Sequence, residues 1–184
     1  MGLRDALAAL LLAGPNHGYQ LMSTLELELG PLWETRASRV YLTLARMEQE
    51  GLITSARVRQ GNRPDRRILR LTPRGRSIAQ SWLNGEGPAD DPVVRLAVAR
   101  VVVPQEFDGV VAALASERSA RLQSLREIRR QANAGFQPEA IDAEIARTQA
   151  DVRWLALVRD RSEEIVSRPR AQKKHGTAGS ERAG

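Results

Sequence analysis

The sequence contains no cysteine. Without thiols there is no disulfide framework and no thiolate metal site, and the chain suits a reducing cytoplasm. Histidine is scarce as well, with two in 184 residues, so a histidine-based metal cluster is not expected. No nucleophile–base pair stands out, and the chain is read as a non-enzyme that needs no cofactor. Aromatic residues make up 4% of a chain that is 42% hydrophobic, so any core must be built from Leu, Val and Ala. No apolar run approaches the ~18 to 20 residues of a membrane span. The run 6–13 is too short, and Met1-Gly2-Leu3-Arg4-Asp5 is not the charged start of an export signal. A cytoplasmic protein without a membrane partner is the expectation.

What is present is arginine, unevenly spread. The formal net charge is +6. Residues 1–85 hold 12 Lys or Arg against 7 Asp or Glu, residues 86–167 hold 11 against 14, and residues 168–184 hold 5 against 1. Eight arginines and one acid, Asp65, fall between Arg57 and Arg76. A basic front followed by a mildly acidic middle points to polyanion binding by the first part and another task for the second.

The organising stretch is 36–52, which the periodicity predicts as a helix. Val40, Leu44 and Met47 recur at i, i+4 and i+7 and form one apolar face. Arg39, Thr43 and Arg46 repeat that spacing one residue earlier, on a face left outside. Gly51 suits a left-handed cap, and Thr35 or Ser38 is expected at the other end as N-cap. Two strand-like segments follow, 53–60 and 66–71, joined by Gly61-Asn62-Arg63-Pro64-Asp65. A cation-rich helix followed by a cation-rich hairpin is the form of a winged helix-turn-helix, whose third helix enters the DNA major groove.

The remaining elements fit around this pair. Helices are expected over 3–13 and from 17–18 to 30, the second with Leu21, Met22, Leu25 and Leu29 inward. Thr72-Pro73 starts a further helix, Thr as cap and Pro in the first turn. Residues 84–92, rich in Gly, Pro and Asp, are the best boundary. Beyond it come a short helix over 93–103 and two long ones, about 104–134 and 138–166. The fold class expected is mostly α with a small β-hairpin wing: a winged helix-turn-helix plus long C-terminal helices. Its parts are a DNA-binding domain over 1–84, a helical dimerisation and effector region over 92–167, and a disordered basic tail over 168–184. Ile141, Ile145, Val152 and Leu155 repeat in a heptad-like seam; Val111, Leu114, Leu122 and Leu125 do so more loosely in the preceding helix, interrupted by Arg118 and Arg121. These eight are the dimerisation residues expected, on the pair itself or on a second copy.

Three motifs in order carry a family resemblance. Leu10-Leu11-Leu12-Ala13-Gly14-Pro15-Asn16-His17-Gly18-Tyr19 resembles the apolar helix and G-P-x-H-G-Y of PadR-type transcriptional regulators. Val40-Tyr41, Leu44, Met47-Glu48 and Glu50-Gly51-Leu52-Ile53 resemble that family's recognition-helix pattern. Arg70-Leu71-Thr72-Pro73-Arg74-Gly75-Arg76 resembles its post-wing motif, and Pro92-Val93-Val94-Arg95-Leu96-Ala97 the opening of its helical region. The segment before Val40 departs from the family, with Arg36-Ala37-Ser38-Arg39 where Ser-Pro-Gly-Thr or Gly-Gln is usual. Ile68-Leu69 replaces an aromatic before the Leu-Thr.

The resemblance implies a homodimeric regulator, a repressor, acting on a double-stranded DNA operator and released by a small hydrophobic or phenolic effector. The DNA-binding residues expected are Ser38, Arg39, Tyr41, Thr43 and Arg46 on the helix, and Arg59, Asn62, Arg63, Arg66 and Arg67 on the wing. Arg39 pairs with guanine or with a phosphate; the wing arginines act as phosphate clamps. Tyr41 either donates its hydroxyl to a phosphate or buries its ring. His17 is read as structural, and Trp33 and Trp82 as core. Trp154, near Val158, either lines an effector site or packs in the helical interface. Two rival classes stay open at this point: a winged-helix adaptor that binds protein, and a small-molecule-binding protein without DNA contact. Eight arginines within twenty residues argue against both.

Overall fold

A computed structural model of the chain describes residues 2–60, 63–86 and 91–169. Helix α1, Leu3–Leu10, is buried at every position but Arg4; Asp5 is buried with the apolar residues and accepts from Arg4 Nε at 3.1 Å. It tightens into a 3-10 turn, Leu11–Ala13, and stops at Gly14. Helix α2 is Gly18–Leu29, with Leu21, Met22, Leu25 and Leu29 buried as the inward stripe. Helix α3 is Ala37–Gln49, and Val40, Leu44 and Met47 are its buried residues. Gly51, at φ 68°, ends it in the left-handed region. No side chain caps the start of α3. Arg36 occupies the N-cap position with extended backbone, so neither Thr35 nor Ser38 plays the part expected of it.

Strands β1, Ile53–Gln60, and β2, Arg63–Leu71, form the antiparallel wing. Ile53 faces Leu71 and Val58 faces Arg66, with a register irregularity between Val58 and Gln60. β2 begins three residues earlier than the alternation suggested. Asn16 and Leu69 exchange two backbone hydrogen bonds, 3.1 and 2.8 Å, which fasten the hairpin to the loop before α2. Helix α4, Pro73–Leu83, opens with Thr72 as N-cap; its hydroxyl accepts from the Gly75 N–H at 3.0 Å. Gly75 is required there, because a Cβ would stand 2.0 Å from the Leu52 carbonyl oxygen.

Helix α5, Pro92–Val102, is capped by Asp91, whose carboxylate accepts from the Val93 N–H. It packs on α1 and α2, so one set of buried side chains runs from Leu3 in the winged part to Val158 in the helical part. After a 3-10 turn, Pro104–Glu106, come α6, Phe107–Gln131, and α7, Gln137–Asp160. Arg118 pairs with Asp151 and Arg129 with Asp142, so the two helices run antiparallel. The last helix is shorter than the seam suggested: it breaks at Arg161, and Ser162–Ser167 forms a separate α8. Residues 170–184, with most of the tail, lie outside the described residues. No helix among the described residues is long and apolar enough to cross a membrane.

Two arginines are buried between the helices. Arg118 is buried in the α6–α7 seam between Glu117 and Asp151. Burial raises the Asp151 carboxyl above the ordinary carboxylate range, and the Arg118 charge opposes that shift. Arg95 is fully buried, its guanidinium 5.2 Å from the Trp82 ring centroid and 3.1 Å from a Glu117 oxygen. One cation thereby ties α4, α5 and α6 together.

Candidate nucleic-acid interface

The interface is built on α3, because its burial is one-sided. With about 100° per residue, the three buried side chains share a single direction. Ser38, Arg39, Tyr41 and Arg46 are all exposed, and Thr43 is half-buried. Tyr41 keeps half its surface in solvent while its ring edge lies against the position of a Gly18 Cβ, so the ring is packed on one side only. Thr43 donates its hydroxyl to the Arg39 carbonyl at 2.7 Å, within the helix, which leaves its oxygen free only as an acceptor. The outward face also carries Leu42, Ala45 and Gln49, all exposed. The sequence reading passed over these three because it looked for charge; the phase of the buried stripe was the signal that could have found them.

The wing supplies a second row. Arg67 is exposed, but its charge is engaged: it donates to Glu48 on α3 and to the Ser55 hydroxyl, each at 2.7 Å. Ser55 donates to the other Glu48 oxygen at 2.5 Å. The Ser55 hydrogen bond, then the Arg67 charge, hold the Glu48 carboxyl below its ordinary range. Arg67 therefore fixes the wing to α3 before it can clamp anything. His17 takes part as a strut, its Nδ1–H donating to the Arg67 carbonyl at 3.0 Å. Arg57 and Arg70 are further exposed cations of the hairpin. The backbone of Arg59, Arg63 and Arg66 lies in the strands; their side chains, and Asn62 altogether, lie outside the described residues.

The residues expected at a dimer contact separate into two groups. Val111, Leu114 and Leu155 have no exposed surface in the single chain, and Leu122 and Leu125 are buried too. These five are buried within the single chain, among its own helices. Ile141, Ile145 and Val152 remain partly exposed.

Trp154 and Val158 come together in the wall of a cleft of about 330 Å³ between α2, α5, α7 and α8. Phe107 and Leu96 complete its apolar side, and Glu28 and Arg100 its polar end. Trp82 is buried and Trp33 packs against the core, as read from the sequence.

Three short helices, a hairpin fastened to them, and an outward helix face bearing arginines define the winged helix-turn-helix class. The profile of the transcriptional regulator PadR-like family matches residues 7–81, the span of the winged helix-turn-helix, and in that span the chain is similar to the family. It is 31% identical over 91 residues to the negative transcriptional regulator PadR of Bacillus subtilis (strain 168), a match over 50% of this chain and 50% of that protein. The chain thus matches about half the length, or less, of its curated relatives. A solved structure of Bacillus subtilis PadR with operator DNA is similar at 24% identity and a TM-score of 0.43, over 86% of this chain and 98% of that one. Another, of the same protein with p-coumaric acid, is similar at 22% identity and a TM-score of 0.38, over 88% and 98%.

Proposed function

We propose that this chain is a sequence-specific DNA-binding transcriptional regulator, acting in the cytoplasm as a homodimeric repressor. The observation that carries the reading is the one-sided burial of α3: Val40 and Met47 have no exposed surface, while Arg39 and Arg46 stand in solvent. Such a helix is anchored on one side and free to enter a major groove on the other. Residues 1–84 form the reading head and 92–167 the pairing and sensing region. Ser38, Arg39, Tyr41, Thr43 and Arg46 meet the duplex from the helix; Arg59, Asn62, Arg63, Arg66 and Arg67 meet its backbone from the wing.

One such helix contacts only a few base pairs, so two-fold pairing is needed to place two heads ~34 Å apart on half-sites. The helical arms leave Ile128, Phe136 and Leu157 exposed at 49, 77 and 63%. Together with Ile141, Ile145 and Val152 they are the apolar surface a second copy would cover. The cleft beside Trp154 and Val158 suits a small hydrophobic or phenolic effector: flat apolar walls with one polar end. Binding there would act on α2 and α5 together, and so on the placement of the head.

A gel-shift competition tests the proposal. The full chain should retard a duplex from its own upstream region in preference to a shuffled duplex of equal composition, and should sediment as a dimer. Equal retardation of both duplexes would remove sequence-specific regulation from the reading.

A further inference from the structure

On the third helix one large aliphatic side chain points away from the core. Leu42 is 54% exposed. It stands about 200° around the helix from Val40, opposite the buried stripe of Val40, Leu44 and Met47. The start of α1 does not cover it. A cleft of about 380 Å³ remains between the two elements, lined by Leu3, Arg4, Arg39, Leu42 and Arg46 among others. Leu42 thus sits near the middle of the outward face, with Arg39 and Arg46 on one flank and Ser38, Ala45 and Gln49, all exposed, on the other.

Given that this face enters a major groove, an aliphatic group at its centre has one apolar partner there. Among the four bases only thymine presents a methyl group on that edge. The neighbouring arginines have other partners available, guanine N7 and O6 or the phosphates. We propose that Leu42 is a specificity-determining residue that recognises the 5-methyl group of a thymine in each half-site. The inference rests on the DNA-binding reading above and adds a base to it.

The test separates the two. The full chain is used to select its preferred duplex from a random pool, and each thymine of the enriched site is then replaced by uracil, which removes only the methyl group. One thymine per half-site should be sensitive, with uracil weakening binding about three- to five-fold, as expected for one buried methyl group. Leu42→Ala should bind the thymine and uracil duplexes equally and keep the thermal midpoint of the parent. Leu42→Met, which retains an apolar reach, should keep part of the preference. A uracil scan that is flat for the parent chain, or a Leu42→Ala variant that stays sensitive to uracil, overturns the assignment while leaving the DNA reading intact. Failure to enrich any duplex overturns both.

Discussion

Arg100 of α5 grips Glu28 of α2 with two parallel hydrogen bonds, Nε to Oε2 at 2.8 Å and Nη2 to Oε1 at 2.7 Å. The side chains keep only 15% and 6% of their exposure. A third donor, Nη1, holds the Arg168 carbonyl just beyond α8 at 3.0 Å. The winged part is therefore fastened to the helical part at the polar end of the cleft. Removing one member of a shielded pair leaves the other without its counter-charge, which typically costs about 3 to 5 kcal/mol. Glu28→Ala should lower stability by about 3 kcal/mol, read from urea unfolding. A variant within about 0.5 kcal/mol of the parent, the range of ordinary surface changes, would show that the pair does not bind the parts together.

A second consequence concerns pH. Hydrogen bonds from Arg161, then from Arg168, hold the Glu164 carboxyl at about 2, below the ordinary carboxylate range. A depressed carboxylate contributes stability that is complete above the unfolded value. That contribution is lost as pH falls through the folded one. The carboxyl resonance of Glu164 should titrate near pH 2 in the folded chain, and Arg161→Ala should move its midpoint upward. An ordinary midpoint in the parent would mean that the α8 pairs do not form in solution.

The join between wing and α4 is steric. A methyl group added to Gly75 would meet the Leu52 carbonyl oxygen at 2.0 Å, and both are backbone-bound. Gly75→Ala should destabilise by about 3 kcal/mol, the upper part of the usual range for overpacking. Thr72→Ala should cost about 1 kcal/mol through the lost cap. Chemical denaturation of both variants checks the order; a Gly75→Ala variant as stable as the parent would contradict the packing described.

Much of this architecture was legible in the chain. Val40, Leu44 and Met47 gave α3 and its buried side, and Thr72-Pro73 gave the start of α4. Residues far apart in sequence were the obstacle. Arg118 looked like a fault in an apolar seam because its distant partner, Asp151, lies on the antiparallel helix. For Arg95 nothing in the local pattern brings Trp82 and Glu117 to it. Similarly, Val111, Leu114 and Leu155 had the spacing of a contact seam. Spacing alone does not say whether the surface covering them comes from the same chain or from another.

Readers of bases and holders of phosphates should separate by mutation. Arg39→Ala should reduce the preference for operator over random DNA, by about 1 to 3 kcal/mol for a lost bidentate guanine contact. Arg63→Ala and Arg66→Ala should weaken binding to every duplex and reduce the salt slope by about 1 each. Titrations against operator and random duplexes distinguish the two patterns. Equal losses on both duplexes for Arg39→Ala would reassign it to the phosphate backbone.

The most direct measurement is the affinity of the full chain for its upstream duplex across a series of salt concentrations, repeated with Arg39 and Arg46 both changed to Ala. A head that neutralises several phosphates should give a straight line of log affinity against log salt with a steep negative slope, and the double change should abolish the preference for the upstream sequence while lowering the slope by no more than about 2, since the wing cations remain. An affinity indifferent to salt, or a double variant that binds and discriminates like the parent, would contradict the claim that α3 meets DNA.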